Sequence, residues 1–418
     1  MIEVTKLKNG VTVVTEQIPY LQSVAMGIWV RAGARDENPL ISGVSHFIEH
    51  MMFKGTKKRS AREIAEEVDR ISGQMNAFTG KEATCYYMKT LSCHAEAAAE
   101  ILCDMFMNSS FDPKEMSKEK QVIYEEMKMV NDSPEDVVHD TICELVFKGN
   151  PLARSILGTE SSLRGISRNK LTAYRDAEYT KDSVVVSICG NFDEGALREI
   201  FGRELDSLKE TKERKTAEDL LYRPAYRSIV KDIEQTHVCL GTRGIRLDDE
   251  LYYAFAVLNN IMGGTMSSRL FQKVREEKGL AYSVYSSSSS FTDMGYFNIY
   301  AGVAHDKLDA AIHAIGGEIL RLSKDFVSKD EFEMAKEQLK GSYIFGQESV
   351  NSRMFAAGKN LLLMNRVFSA EEVIREIDQV TMEQVREAAE KITDLASYSA
   401  VTAANQKIDI RRMMRNFG

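Results

Sequence analysis

The chain has few prolines and cysteines, no long apolar run and no excess of basic residues. Its 418 residues include 6 prolines and 6 cysteines. The cysteines are scattered without a C-x-x-C pair, which is typical of reduced thiols rather than of a disulfide framework. No stretch approaches the ~18 apolar residues that a membrane-spanning helix needs. The net charge of −8 argues against nucleic acid as the main partner.

The N-terminal segment MIEVTKLKNGVTVV has no long apolar core. We therefore expect neither a secretory signal peptide nor a transit peptide. Together with the scattered cysteines, this predicts a cytoplasmic protein with no membrane partner.

The length and the internal order of the sequence predict two domains. A chain of 418 residues, 44% hydrophobic and 28% charged, can form two globular cores. The two halves repeat the same order of strand-like and helix-like segments at an offset of about 210 residues, which indicates an internal duplication. The charged segment 208–228 separates them. We predict an α+β fold with homologous domains at 1–215 and 216–418, each a mostly antiparallel sheet covered by helices.

The segment GVSHFIEHMMFKGT (43–56) places two histidines and a glutamate in an apolar run. On a helix, His46, Glu49 and His50 share one face. The other faces carry apolar side chains: Phe47, Ile48, Met51 and Met52. A core helix with hydrogen-bonded histidines is one interpretation. We favour a zinc site, because two imidazoles at i and i+4 can reach one metal ion with a carboxylate beside them, in the order H-x-x-E-H.

The second half lacks this motif. At the duplication offset, Phe255, Leu258 and Asn259 fall where the two histidines and the glutamate lie in the first half. By its residues, one copy could be catalytic and the other could not.

A third ligand is expected from the helix-like segment SKEKQVIYEEMKMV (117–130). Glu119 and Glu126 project from the middle of its apolar stripe, whereas Glu125 points about 100° away. The stripe consists of Val122, Ile123, Met127, Met129 and Val130. A solvated charged helix would explain Glu125 but not the other two, since carboxylates in a buried stripe need a cation or hydrogen-bond donors. Periodicity leaves both Glu119 and Glu126 as candidates.

These motifs resemble the pitrilysin/insulinase family of zinc peptidases. HFIEHMMFKGT, GQMNAFTGKEATCYY and the downstream Glu126 carry the resemblance, which is to the branch of mitochondrial processing peptidase beta subunits and their bacterial single-chain relatives. GNPLARSILGT, LDDELYYAFAVLNNIMGG and REEKGLAYSVYS extend it to nearly the whole chain. The resemblance implies that His46, His50 and Glu126 bind one zinc ion and that Glu49 is the general base. It also implies that Glu119 supports the site from outside the ligand set.

The resemblance further implies how substrate is held. Asn76, Ala77 and Phe78 would belong to an edge strand that binds an extended peptide by strand addition. Arg275 and Tyr282 would hold the substrate backbone and stabilise the oxyanion. In each case, an ordinary packing or solvated residue is the alternative.

The resemblance also implies an assembly. Long family members hold four homologous domains in one chain, with the zinc in the first and the Arg/Tyr pair in the fourth. This chain has two such domains, so we expect a homodimer that encloses a chamber, with Arg275 and Tyr282 acting on the zinc site of the partner subunit. The preferred function is a zinc-dependent metalloendopeptidase for peptides or unfolded segments. The alternatives are a limited presequence-processing protease with a second subunit, and a structural core subunit without proteolysis.

Overall fold

The structure, a computed structural model, describes residues 2–210, 221–415 and 417. Two units divide these residues. The first takes its described residues from Met1–Met127, Arg154–Ala217 and Phe345–Ser369, and the second from Lys128–Ala153, Glu218–Ile344 and Ala370–Gly418. Each unit thus contains a segment from the other half of the chain. The predicted boundary at residue 215 lies outside the described residues.

A six-stranded sheet forms the centre of the first unit. Its strands are β1 (Ile2–Lys6), β2 (Thr12–Gln17), β3 (Ser23–Val30), β4 (Gln74–Thr79), β5 (Thr84–Leu91) and β6 (Val184–Gly190). They lie in the order β1–β2–β6–β3–β5–β4, and every neighbouring pair is antiparallel except β2 and β6. β3 and β6 are almost wholly buried, as expected of strands covered on both faces. β4 is an edge strand with alternating exposure.

A five-stranded sheet forms the centre of the second unit. Its strands are β7 (Tyr226–Val230), β8 (Thr236–Gly244), β9 (Ala281–Ser290), β10 (Gly295–Val303) and β11 (Ser399–Ala404). The order is β7–β11–β8–β10–β9, with β7 and β11 as the parallel pair. This repeats the order of the first sheet from β2 to β4, which agrees with the predicted duplication. The prediction of two mostly antiparallel sheets with covering helices is confirmed.

Fifteen α-helices lie in the described part of the chain. They are α1 (Val44–Met52), α2 (Ala61–Arg70), α3 (Ala95–Asn108), α4 (Pro113–Asp132), α5 (Pro134–Val146), α6 (Glu160–Gly165), α7 (Arg168–Glu178), α8 (Glu194–Glu204), α9 (Tyr252–Asn259), α10 (Leu308–Lys324), α11 (Lys329–Gly346), α12 (Val350–Met364), α13 (Ala370–Gln379), α14 (Met382–Glu390) and α15 (Ile410–Arg415). Two π-helical segments, Asn260–Gly264 and Phe271–Glu277, follow α9. In the same residues, none of the helices combines the length and the apolar character that crossing a bilayer requires.

The first sheet has helices on both faces. α1 and α3 pack with Met26, Ile28 and Met88 in one large core. The opposite face is covered by α12, whose segment comes from the C-terminal half of the sequence. Alternation along β3 explains the division, because neighbouring strand residues point to opposite faces.

Glycines allow the exchanged helices to approach each sheet closely. In the first unit, a Cβ on Gly358 of α12 would lie 2.1 Å from Trp29 Nε1, and one on Gly27 of β3 would lie 2.7 Å from Met354 Sδ. In the second unit, a Cβ on Gly241 of β8 would lie 2.6 Å from a side-chain carbon of α5. Each sheet is therefore covered on one face by a helix from the other half of the chain.

Candidate metal centre

α1 carries the two predicted histidine ligands on an otherwise buried helix. Its apolar side chains are buried, as predicted: Val44, Phe47, Ile48, Met51 and Met52. His46, Glu49 and His50 are partly exposed. The polar side chains thus lie on the one face of the helix that the core does not cover.

The N-terminus of α1 is fixed by a glycine and a buried carboxylate. Gly43 precedes the helix with φ 89°, and a Cβ there would lie 2.5 Å from Leu157 O. Glu37 accepts hydrogen bonds from the Gly43 N–H at 2.7 Å and the Ser45 N–H at 2.8 Å. Burial raises the pKa of Glu37 to about 7, and the two backbone hydrogen bonds oppose this rise. A carboxylate at this end of a helix also complements the helix dipole.

α4 brings Glu126, the predicted third ligand, close to α1. Glu126 Oε2 lies 3.8 Å from His46 Nε2 and 3.5 Å from His50 Nε2. One ligand atom of each residue lies within 4.8 Å of the others, and no second such group of His, Cys, Asp or Glu occurs in the described residues. Ligand atoms around a tetrahedral zinc ion lie about 3.3–3.6 Å apart. The donor set of two imidazoles and one carboxylate therefore fits zinc.

The predicted stripe of α4 is partly wrong. Val122 and Met129 are 43% and 70% exposed, whereas Ile123 is 1% exposed. Periodicity places these residues on one side of the helix, but burial depends on which neighbours cover that side. Glu119 and Glu126 nevertheless face α1, as expected.

The surroundings of His46 keep its imidazole neutral. Burial and, next, the charge of His50 lower the pKa of His46 to about 4. A neutral imidazole has a lone pair free for a metal ion. Its Nδ1 is buried and has no hydrogen-bond partner among the described residues. The orientation of the His46 ring, whose Nε2 faces Glu126, is therefore not fixed by a hydrogen bond at Nδ1.

Glu119 contacts the His50 ring at Nδ1, whereas Nε2 of the same ring lies near Glu126. Glu119 is 5% exposed, and its Oε2 lies 3.1 Å from His50 Nδ1. An Nδ1–H that donates to this carboxylate leaves Nε2 as the ligand atom. The other oxygen, Oε1, lies 2.8 Å from Lys54 Nζ. Glu119 thus lies where the resemblance implies, and Lys54 is a contact that the sequence did not predict.

Glu49 is held by the edge strand β4. Thr79 Oγ1 donates a hydrogen bond to Glu49 Oε2 at 2.5 Å. Burial raises the pKa of the Glu49 carboxyl, while the Thr79 bond and the charge of His50 oppose the rise. A carboxylate with a raised pKa is suited to take up a proton near neutral pH.

The three predicted substrate-binding residues lie on β4 but point to two faces. Ala77 packs with the core that contains α1, on the same face as Thr79. Asn76 and Phe78 point to the other face, where Phe78 contacts Trp29 edge-on at 5.5 Å between ring centroids. Of the three, only Ala77 lies on the face of the sheet that is turned toward Glu49. Thr79 was not among the predicted residues, although the period-two alternation of a strand places it on the same face as Ala77.

Arg275 and Tyr282, which were predicted to hold the substrate backbone, lie close together in the second unit. The Arg275 guanidinium lies 5.2 Å from the ring centroid of Tyr282 and 4.6 Å from that of Phe271. Tyr282 is 78% exposed on the edge strand β9. At the duplicated positions, Phe255 stands in place of His46 and Leu258 in place of Glu49, and both are buried in the core of this unit. Asn259, in place of His50, is partly exposed.

Comparisons with known proteins identify the family. Residues 12–160 match the family described as Insulinase (Peptidase family M16), and residues 165–339 match the Peptidase M16 inactive domain. A Bacillus subtilis (strain 168) protein described as "Uncharacterized zinc protease YmxG" is 44% identical over 399 residues, which cover 94% of this chain and 96% of that protein. The chain belongs to the insulinase (M16) family of zinc peptidases.

Two further proteins extend the comparison. An uncharacterized zinc protease of Rickettsia bellii (strain RML369-C) is 38% identical over 403 residues, covering 96% of this chain and 97% of that one. A Pseudomonas fluorescens structure described as a peptidase M16 inactive domain has a TM-score of 0.89 and 20% identity, with 97% and 98% of the two chains covered. At that identity the structural likeness shows the fold alone.

The two M16 matches separate the half of the chain that contains the predicted metal ligands from the half that lacks them. The match to 12–160 contains His46, His50 and Glu126. The match to 165–339, which is described as inactive, contains Phe255 and Leu258 at the duplicated positions. The family resemblance stated from the sequence is confirmed.

Proposed function

We propose that this M16 chain is a zinc-dependent metalloendopeptidase that hydrolyses peptides or unfolded segments. The observation that carries the proposal is that one ligand atom each of His46, His50 and Glu126 lies within 4.8 Å of the others, with the Glu49 carboxyl close enough to feel the charges of His50 and Glu126. One zinc ion held by these residues would supply Lewis-acid chemistry: it lowers the pKa of water and polarises a carbonyl.

Glu49 is the general base in this proposal. Its carboxylate takes the proton from the attacking water and delivers it to the leaving amine. Thr79 keeps one carboxylate oxygen in a fixed orientation through its hydrogen bond. Because Thr79 belongs to β4, the strand that would hold the substrate also positions the base.

β4 offers the peptide backbone a place to bind. It pairs only with β5, so its outer edge has no strand partner in the described residues. An extended peptide that adds to this edge is held through its main chain, with little selection for sequence. Ala77 and Thr79 would face the metal group, while Asn76 and Phe78 would lie on the far side of the sheet.

We extend the proposal to a homodimer that encloses a chamber. Arg275 and Tyr282 stack on each other and remain open to solvent, with the Arg275 side chain 37% exposed. An arginine and a tyrosine in this state can bind a peptide backbone and a developing oxyanion. In the proposed dimer they act on the zinc site of the partner subunit. The cytoplasmic location and the lack of nucleic-acid and membrane partners stay predictions from the sequence.

Glu49→Gln tests the proposed function. Zinc content and cleavage of an unfolded protein are measured on the same preparations of wild type, Glu49→Gln and Glu125→Gln. We expect about one zinc per chain in all three, and cleavage lowered at least ~100-fold in Glu49→Gln alone, since general base catalysis contributes about that much. Glu125 is the matched control, because it lies exposed on the helix that carries the third ligand.

Cleavage by Glu49→Gln at the wild-type rate would contradict the proposed mechanism. Zinc in wild type without any cleavage would favour the structural core subunit. Cleavage confined to one class of presequence would favour limited processing.

A further inference from the structure

A lysine outside the metal group contacts the carboxylate that supports it. Lys54 Nζ lies 2.8 Å from Glu119 Oε1, and Glu119 Oε2 lies 3.1 Å from His50 Nδ1. Glu119 is 5% exposed, and the Lys54 side chain is 31% exposed. We propose that Lys54 is a positioning residue of the zinc site, which acts through Glu119 on His50. This inference rests on the proposed function.

The helix places Lys54 next to His50. The Lys54 N–H donates to Met51 O at 3.2 Å, so the backbone continues the last turn of α1 as far as Lys54. Lys54 follows His50 by four residues, and side chains at i and i+4 lie on the same face of a helix. A single carboxylate from α4 can therefore contact both side chains.

The ion pair fixes the orientation of a buried carboxylate. A carboxylate that is removed from water needs partners on both oxygens, and a charge-assisted hydrogen bond is the strongest partner that a neighbouring side chain supplies. With Oε1 held by Lys54, Oε2 is directed at His50 Nδ1. Without Lys54, the carboxylate can rotate toward solvent, and the His50 ring loses its fixed orientation.

The metal group depends strongly on this contact because its two histidines are supported unequally. His46 Nδ1 is buried and has no hydrogen-bond partner in the described residues. Support from outside the ligand set therefore reaches the group through His50. Partners of this kind change metal affinity by about 10–100-fold when they are removed. Lys54 should accordingly affect zinc binding although it contacts none of the three ligand atoms.

The test measures zinc affinity rather than activity. The zinc dissociation constant is determined by competition with a chromogenic chelator for wild type, Lys54→Met, Lys54→Arg, Glu119→Gln and the double variant Lys54→Met/Glu119→Gln. Lys57→Met is the matched control, because Lys57 is exposed and close in sequence. Lys54→Gln serves as a second neutral variant if Lys54→Met does not fold.

We expect Lys54→Met to weaken zinc binding about tenfold or more, and Glu119→Gln to do so at least as strongly. The double variant should bind zinc no more weakly than Glu119→Gln, since a residue that acts through Glu119 has no effect once Glu119 is gone. Lys54→Arg should restore most of the affinity, and Lys57→Met should match wild type.

Two results would overturn the inference. One is a zinc dissociation constant of Lys54→Met, or of its Gln substitute, within about twofold of wild type. The other is a double variant that shows the product of the two single effects, which would mean that Lys54 acts independently of Glu119. A wild-type protein that binds no zinc would instead contradict the proposed function itself, so the two failures are distinguishable.

Discussion

At the scale of single residues, the chemistry of the site depends on how each polar side chain is held. His50 Nδ1 lies next to Glu119, whereas His46 Nδ1 has no hydrogen-bond partner in the described residues. Glu49 is held by Thr79 from a different element. The Glu49 carboxylate and the two imidazoles therefore have three different surroundings, although all of them lie on one short helix.

Thr79→Val should change the pH dependence of cleavage. The Thr79 hydrogen bond lowers the pKa of Glu49 against the effect of burial. Its loss raises that pKa, so Glu49 becomes an available base only at higher pH, and the acidic limb of the kcat profile should move to higher pH. The maximal rate should also fall, by about tenfold, because the base loses its fixed orientation. Both effects are read from pH–rate profiles with a fluorogenic peptide.

Thr79→Ser is the matched control, because it keeps the hydroxyl donor. Its acidic limb should coincide with that of wild type. A Thr79→Val profile that overlays the wild-type profile would show that Thr79 does not act on Glu49.

At the scale of elements, α1 depends on a cap that titrates. Glu37 accepts two backbone hydrogen bonds at the start of the helix, and burial raises the pKa of its carboxyl to about 7, above the ordinary value of a glutamate. The folded state therefore binds a proton more tightly than the unfolded chain does. The resulting stabilisation is fully present below the unfolded pKa and is lost as the pH rises through the folded pKa.

Glu37→Gln should remove this pH dependence. We measure Tm of the zinc-free protein from about pH 5 to about pH 8, the window in which the linkage applies. As the pH rises, the Tm of wild type should fall relative to the Tm of Glu37→Gln. A difference that stays constant across the window would contradict the raised pKa of Glu37.

α12 should tolerate no side chain at Gly358. A Cβ there would lie 2.1 Å from Trp29 Nε1 and 2.7 Å from Ser187 Oγ, and these two atoms hydrogen-bond to each other at 3.0 Å. Overpacking of a well-filled core costs about 1–3 kcal/mol. Gly358→Ala should therefore lower the unfolding free energy by about this amount in denaturant titrations.

Gly341→Ala is the control for α12. Gly341 lies in α11, and a Cβ there would meet nothing within 4 Å. Since alanine favours a helix over glycine by about 1 kcal/mol, this variant should be neutral or slightly more stable than wild type. Equal effects of the two substitutions would show that α12 does not pack closely on Trp29.

At the scale of the whole molecule, the sequence predicted local elements well and long-range placement poorly. The two sheets, α1 and the pairing of Glu126 with the histidines follow from periodicity and from the resemblance. The exchange of α5 and α12 between the halves could not be predicted, because amphipathic periodicity shows that a helix packs but not on which sheet. Thr79 was missed for a similar reason, since its partner Glu49 lies on another element.

In the proposed dimer, Glu49 of one subunit and Arg275 of its partner act in one reaction. Glu49→Gln and Arg275→Ala subunits with different affinity tags are co-expressed, and the mixed dimer is purified through both tags. In that dimer, one site combines an intact Glu49 with an intact Arg275 from the partner subunit.

The most direct test is the rate at which this mixed dimer cleaves an unfolded peptide. Our account predicts that each parent variant is nearly inactive and that the mixed dimer has about half the wild-type rate, since one of two symmetric sites is complete. A mixed dimer no more active than its parents would contradict an active site assembled from two chains.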